Sequence, residues 1–479
     1  MYDILIIGAG INGGLLAHTL SKYDLKVAVL EKDNDVANEA TAANSAIIHS
    51  GHDPKTGTLK AKLNVRGNVL WEGLCQELKV DFERNGAFVV AVDSSELDSL
   101  HELYEQALSR DVPARLISRE EALALEPNLS DQVIEVLDLP STGIVSPWEV
   151  TIAAMEDAVN NGVELFLNNK VIKIDKKDGY FDVTTPHGVY QSRFIINAAG
   201  VYSDEIYRLV SDHVDYQITP RRGEYYVLDR AEKPVVSRTI YPLPSKKGKG
   251  VLVVPTIHKN ILIGPNSDII TDKEGKDNTA EALAYVRREV AKTVKNIPMH
   301  TVIRTYVGLR PTHLEYDFVI EEAKDVAQFI NLIGVDSPGL ASAPAITEFV
   351  IETLLKPKLS MHLKNNRVER RPWIILNRMS IEDKQSYFKN DARFGHMICR
   401  CELVSEGEIV DVIHRNVGAR TVKAVKRRVR AGAGRCQGGF CEPRVVQILA
   451  RELNIDPTEV LLDADASKIL VGKTKETLK

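Results

Sequence analysis

The chain has 479 residues, more than one compact core accommodates, so two or three domains are expected. Its 44% hydrophobic and 27% charged residues are ordinary for a soluble globular protein, and a formal net charge of -5 gives no bias toward nucleic acid or membrane. No apolar run is long enough to span a bilayer, and neither a basic lead nor a small-residue cleavage site precedes the strand that begins at Tyr2, so a cytoplasmic protein is expected.

Residues 2–7 read as a buried strand, 15–21 as a helix and 26–30 as a second strand, together a βαβ unit. Leu70 to Cys75 reads as one side of a helix, with Cys75 an inert core thiol. Residues 94–124 are mostly helical, with a break near Pro113. A helix over 149–160 precedes strands near Val163 and Val171, then a strand pair at 181–184 and 190–196. Residues 217–268 alternate short strands with Gly and Pro turns, the pattern of an antiparallel sheet. A strand at 329–334 and a helix at 345–355 lead into a charged stretch, 356–395, which reads as a connection to a separate C-terminal module.

Gly8-Ala9-Gly10-Ile11-Asn12-Gly13 places GxGxxG between strand and helix, and Glu31 closes the second strand 21 residues after Gly10. The first glycine makes the tight turn, the second admits a pyrophosphate to the backbone, and the third lets helix and strand approach. The helix N-terminus attracts the phosphates and the acid takes ribose hydroxyls. This unit alone serves NAD or FAD equally.

Two further segments separate them. Asn197-Ala198-Ala199-Gly200 at a strand end, and Gly334-Val335-Asp336-Ser337-Pro338-Gly339-Leu340 entering a helix, resemble the second and third flavin-site signatures of the D-amino-acid-oxidase-like flavoproteins. The three segments occur in family order across residues 1–355. The resemblance implies FAD as cofactor, with the last helix aiming its positive end at the flavin ring. It assigns FAD contacts to Gly8, Gly10, Ile11, Asn12, Gly13, Glu31 and Lys32 from the first unit. Thr41, Ala42, Asn44, Ser45, Ala46 and Ile47 follow, with Val171, Ala199, Gly200, Gly308, Arg310, Gly334, Ser337, Pro338, Gly339 and Leu340 completing the set.

Thr41 to Gly51, and Gly57-Thr58-Leu59-Lys60-Ala61, resemble the segments that pass the flavin in glycerol-3-phosphate dehydrogenases and oxidases and in L-2-hydroxyglutarate dehydrogenases. Ala43 stands where the hydroxyglutarate enzymes usually carry Arg, a departure from that branch. Arg221-Arg222-Gly223-Glu224-Tyr225-Tyr226 and Gly308-Leu309-Arg310-Pro311 also match the group. Alcohol oxidation by flavin needs a hydride acceptor, a base for the hydroxyl proton and a cation for the substrate's anion. His49 is the catalytic base candidate, because imidazole titrates near neutral pH, and it reads equally as a packing residue beside the flavin. Arg310 is the candidate anion clamp, its planar fork fitting phosphate or carboxylate. Lys60, Arg221 and Arg222 are further substrate-binding candidates, each also readable as a solvated surface charge.

Four cysteines lie near the C-terminus as Cys399-x-Cys401, then 34 residues, then Cys436-x4-Cys441. Four thiolates hold zinc or an iron–sulfur cluster, and the single residue inside the first pair disfavours a zinc knuckle. Met397 to Glu402 and Arg435 to Cys441 resemble the bacterioferritin-associated-ferredoxin module, which implies a [2Fe-2S] cluster. From His414 through Arg435 there are eight Lys or Arg and no acid. Such a stretch supports an anionic cluster, docks an acidic partner or forms a solvated helix face.

The expected fold is α/β: a Rossmann-like FAD-binding domain (about 1–80, 145–215 and 300–375) interleaved with a mixed-sheet substrate domain (about 81–144 and 216–299), a linker 376–395, a small helical [2Fe-2S] domain 396–452 and a tail 453–479. The whole is similar to the large subunit of anaerobic glycerol-3-phosphate dehydrogenases. That resemblance implies oxidation of glycerol 3-phosphate, or a related small anion, to dihydroxyacetone phosphate. Electrons would leave through the cluster to a second redox subunit, through which any peripheral membrane link would run; no nucleic acid is expected. A 2-hydroxyacid or amino-acid dehydrogenase of the same fold, and an electron-transfer or scaffold subunit with an inactive pocket, are the alternatives.

Overall fold

The computed structural model describes residues 1–212, 216–231, 233–244, 250–313 and 317–474. Residues 232 and 245–249 of the strand-and-turn region, and 475–479 of the tail, lie outside the described residues.

Strand Tyr2–Ile7 is the centre of an eight-stranded sheet. It pairs in parallel with Val27–Leu30 on one side and Gly188–Asn197 on the other. Glu164–Phe166 extends the sheet beyond Val27–Leu30, and Phe329–Ile333 pairs in parallel with the end of Gly188–Asn197. The hairpin of Lys173–Lys176 and Phe181–Thr185 joins antiparallel. The central strands are almost wholly apolar because both faces are covered. Helices Ile11–Leu20, Pro147–Asn160 and Gly339–Phe349 join one core with Ile4, Ile6, Val27 and Ile330. This arrangement collects Gly8, Glu31, Ala199 and the start of helix Gly339–Phe349 at the C-terminal ends of the parallel strands, where open α/β sheets bind ligands.

A nine-stranded mixed sheet forms the second layer system. Val302–His313 pairs antiparallel along the whole of Ile218–Leu228, which sets Arg221 opposite Arg310. Thr239–Pro242 pairs in parallel with Ala87–Ala91, joining residues far apart in sequence.

Four expectations need correction in detail. The break near Pro113 holds a strand, Arg115–Ser118, between helices Leu97–Leu108 and Arg119–Leu125. The helix around Cys75 runs over Leu59–Leu78, started by a Thr58 side-chain cap; Gly67 and Gly73 interrupt its apolar pattern. Gly67 is there for close approach, since a Cβ would collide with the Ala341 carbonyl. The last helix begins at Gly339, not Ala345, and carries Pro344 inside it; Gly and Pro read as punctuation in sequence but here sit within its first two turns. Nor is all of 356–395 a loose connection, because Arg370 is buried with its Nε 2.7 Å from Glu156 Oε2.

The C-terminal module has its own core of Ile398, Ile409, Ile413, Val425, Val445 and Leu449. Helices Glu406–Ile413, Val422–Val429 and Glu442–Leu453 surround it, the first begun by a Ser405–Glu408 capping box. No described helix is long and apolar enough to cross a membrane.

Candidate active site and cluster site

A cavity of about 990 Å³ opens at the C-terminal ends of the parallel strands. Its wall includes Gly8, Gly10, Ile11, Asn12, Glu31 and Lys32, then Thr41, Asn44, Ser45, Ala46, Ile47 and His49. Val171, Ala199, Gly200, Gly308, Arg310, Ser337, Pro338, Gly339 and Leu340 complete the candidates found on it. Gly13, Ala42 and Gly334 stand behind this wall. Gly13 has a spacing role, because a Cβ there would collide with the Gly8 carbonyl. Gly8 has φ +103°, and a Cβ on it would lie 2.6 Å from the Ala198 carbonyl oxygen.

The residues at the nucleotide end fit FAD on three observations. Helix Ile11–Leu20 meets the cavity with no acid in its first turn; Thr41 Oγ1 accepts the Ile11 N–H at 3.0 Å, and the positive end of the helix faces the cavity. Asn12 Oδ1 is buried without a hydrogen-bond partner. Glu31 accepts the Ala9 N–H at 2.7 Å and the Asp33 N–H at 3.0 Å. Burial, reinforced by the Asp33 carboxylate, pushes Glu31 up to about 7. Lys32 is engaged by Glu39 at 2.9 Å and Asp33 at 3.0 Å.

At the other end stand His49 and Arg310. Helix Leu59–Leu78 holds the His49 carbonyl through Asn64 Nδ2 at 2.9 Å and Asn68 Nδ2 at 3.1 Å. The His49 Nδ1 lies 3.0 Å from the Tyr241 hydroxyl. Burial raises the Tyr241 pKa well above its ordinary value, so it stays a neutral phenol. Among the described residues Arg310 donates to backbone carbonyls alone: Asn266 at 3.0 Å, Arg221 at 3.3 Å and Arg222 at 3.5 Å. Among the described residues it forms no ion pair, although it lines the cavity and burial lowers its pKa. A partly buried guanidinium fixed by carbonyls on one side is a receptor for an anion on the other.

The remaining three cations do not line the cavity. Lys60 Nζ is 2.6 Å from Asp336 Oδ1, so it braces the turn before helix Gly339–Phe349. Arg222 Nε is 3.5 Å from the buried Glu224 carboxylate. Arg221 and Arg222 meet Arg310 through their carbonyls because the strands pair at that register.

Tyr241, Tyr225 and Tyr306 are the site residues that sequence reasoning missed. Tyr225 and Tyr306 stack with centroids 4.5 Å apart, and their hydroxyls hold Ser45 Oγ at 3.1 Å and the Asn44 carbonyl at 2.7 Å. Tyr225 lay inside a quoted motif, but its role depends on cross-strand register. No local signal marks Tyr241, which reaches His49 only through the pairing of Thr239–Pro242 with Ala87–Ala91.

The four distal cysteines form two pairs. Cys401 Sγ lies 3.8 Å from Cys436 Sγ, and a thiol hydrogen bond joins Cys399 to Cys441. That bond, with backbone N–H groups of Gly432, Glu402 and Cys401, lowers the Cys399 thiol to about 6. Two separate thiol pairs fit two irons. Among the described residues no three His, Cys, Asp or Glu side chains converge on a single point.

The basic stretch is neither a solvated face nor a free docking surface. Arg427 and Arg428 pair with Asp35, Arg415 with Glu156, Arg430 with Glu402, and Lys423 with Asp463. The acidic partner of most of these cations is therefore this chain itself.

Residues 3–353 match the FAD dependent oxidoreductase family, and the chain belongs to it. Residues 397–451 match the BFD-like [2Fe-2S] binding domain, so the chain is an FAD-dependent oxidoreductase carrying a [2Fe-2S]-binding domain. A glycerol 3-phosphate dehydrogenase of Caloramator mitchellensis is 48% identical over 99% of both chains. A glycerol 3-phosphate oxidase of Mycoplasma genitalium is 31% identical over 78% of this chain and 99% of its own. The FAD-bound L-alpha-glycerophosphate oxidase of Mycoplasma pneumoniae, dithionite-reduced, superposes with TM-score 0.74 and 30% identity over 78% of this chain and 99% of that one. The oxidases stop short of the cluster module, and the dehydrogenase spans it.

Proposed function

We propose that the chain oxidises sn-glycerol 3-phosphate to dihydroxyacetone phosphate in the cytoplasm and passes the electrons through its [2Fe-2S] domain to a partner subunit. The observation that carries this reading is Arg310, a partly buried cation on the cavity wall with no carboxylate bound to it among the described residues. The full-length likeness to a protein named glycerol 3-phosphate dehydrogenase supports a phosphate ester as its anion.

Bound FAD supplies the hydride acceptor, and the cluster supplies one-electron transfer away from it. Arg310 holds the substrate's phosphate and thereby fixes which carbon faces the flavin site. His49 takes the hydroxyl proton. For that role the 3.0 Å contact between Nδ1 and the Tyr241 hydroxyl orients the ring. The Asn64 and Asn68 amides hold the backbone of His49, so the ring approaches from one direction. The stacked Tyr225–Tyr306 pair keeps residues 44 and 45 against the cavity.

The test is steady-state turnover with an artificial acceptor and quantitation of dihydroxyacetone phosphate. Stoichiometric product is expected, with glycerol at least about 100-fold poorer in kcat/KM because it lacks the anion. Turnover of L-2-hydroxyglutarate without dihydroxyacetone phosphate from glycerol phosphate would overturn the substrate assignment.

A further inference from the structure

We infer that Lys426 is a positioning residue for the [2Fe-2S] cluster, a fixed cation that holds its reduction potential up. The inference rests on the family's [2Fe-2S] assignment and not on the identity of the substrate.

Six of the eight cations between residues 415 and 435 are neutralised: Arg415, Lys423, Arg427, Arg428, Arg430 and Arg435 each pair with an acid. Among the described residues, Arg420 and Lys426 form no ion pair. Arg420 turns to the Ile413 carbonyl at 3.1 Å. Lys426 points the other way, into the cysteine loop, where Nζ donates to Gln437 Oε1 at 2.9 Å. Gln437 is the neighbour of Cys436, and its Nε2 bonds the Ala433 and Gly434 carbonyls at 3.0 Å, so the loop is fixed around the ammonium.

Burial, and then the like charges of Arg304 from the oxidoreductase body and of Lys423 and Arg430 from its own segment, push the Lys426 ammonium down to about 7 when no anion faces it. The Cys441 thiol acts in the opposite sense. A half-buried ammonium among like charges is unfavourable unless an anion faces it. A two-iron cluster ligated by four thiolates is that anion, and it gains one further negative charge on reduction. The cation therefore favours the reduced form and makes the cluster a better acceptor for electrons leaving the flavin site.

The test is a mediated redox titration of the purified holoprotein, reduced with dithionite and followed by electron paramagnetic resonance, which needs no substrate. Lys426→Met and Lys426→Gln are each expected to lower the equilibrium constant for one-electron reduction at least tenfold, a shift of 59 mV for a one-electron couple. Lys426→Arg is expected to retain the parent potential, and Arg420→Met to leave it unmoved. Unchanged potentials in Lys426→Met or Lys426→Gln would overturn the inference. So would loss of iron in both neutral variants with retention in Lys426→Arg, since that makes the residue structural.

Discussion

Arg428 of the cluster module and Asp35 of the FAD-binding unit form a two-pronged buried pair, Nη1 to Oδ2 and Nη2 to Oδ1 both at 2.8 Å. Asp35 lies four residues after Glu31, so the cluster module is docked on the loop that follows Glu31. Removing one partner of such a pair strands the other charge and costs about 3–5 kcal/mol. Asp35→Asn is therefore expected to lower the unfolding temperature of the cluster module and to expose it to protease. Limited proteolysis with calorimetry checks this, and an unchanged profile would contradict it.

The same pair sets an acid limit. Burial alone would raise the pKa of Asp35, but the two guanidinium groups hold it below the usual carboxylate range. With the folded pKa depressed, the pair's contribution is complete above the unfolded value, about 4. It is lost as pH falls through the folded value.

Glu31 behaves in the opposite sense. Its folded pKa, about 7, lies above the ordinary carboxylate value, so it favours the fold only at low pH. In the FAD-free protein stability is expected to fall as pH rises between about 4.5 and 7, by roughly 3 kcal/mol. Glu31→Gln is expected to flatten that slope and to weaken FAD retention. Urea unfolding at several pH values measures the first effect and flavin fluorescence release the second.

The nucleotide unit was legible because its determinants are local: glycine spacing, a strand and an acid within thirty-one residues. The four cysteines were legible as a set for the same reason, from the short spacings Cys399-x-Cys401 and Cys436-x4-Cys441, whereas the pairing of Cys401 with Cys436 across 35 residues was not. What escaped depends on long-range pairing. Lys60, Arg221 and Arg222 carry the right charge, but Asp336, Glu224 and cross-strand register decide where those charges point. The sequence left three readings of the basic stretch open because two of its partners, Asp35 and Glu156, lie hundreds of residues away.

If His49 is the base, His49→Asn is expected to lower kcat by about 10²–10⁴ with FAD and iron contents unchanged. Tyr241→Phe removes the hydrogen bond at 3.0 Å and is expected to shift the pH profile of kcat with a smaller loss of rate. A full-rate His49→Asn enzyme would reduce His49 to a packing role.

Arg310→Met removes the anion clamp. Loss of a charge-assisted, bidentate contact in a dry site is expected to raise KM about 100-fold, with the flavin spectrum retained. Arg310→Lys is expected to recover little, because its geometry does not reproduce the fork. Steady-state kinetics separates the two parameters.

Anaerobic titration of the holoprotein with sn-glycerol 3-phosphate, followed by absorbance, tests the central claim most directly. The expected result is bleaching of the flavin bands, followed by loss of the cluster's visible absorption as electrons move on. Flavin that stays oxidised with glycerol phosphate but bleaches with L-2-hydroxyglutarate or an amino acid would contradict the proposed substrate. Flavin that bleaches while the cluster stays oxidised would contradict the proposed electron path.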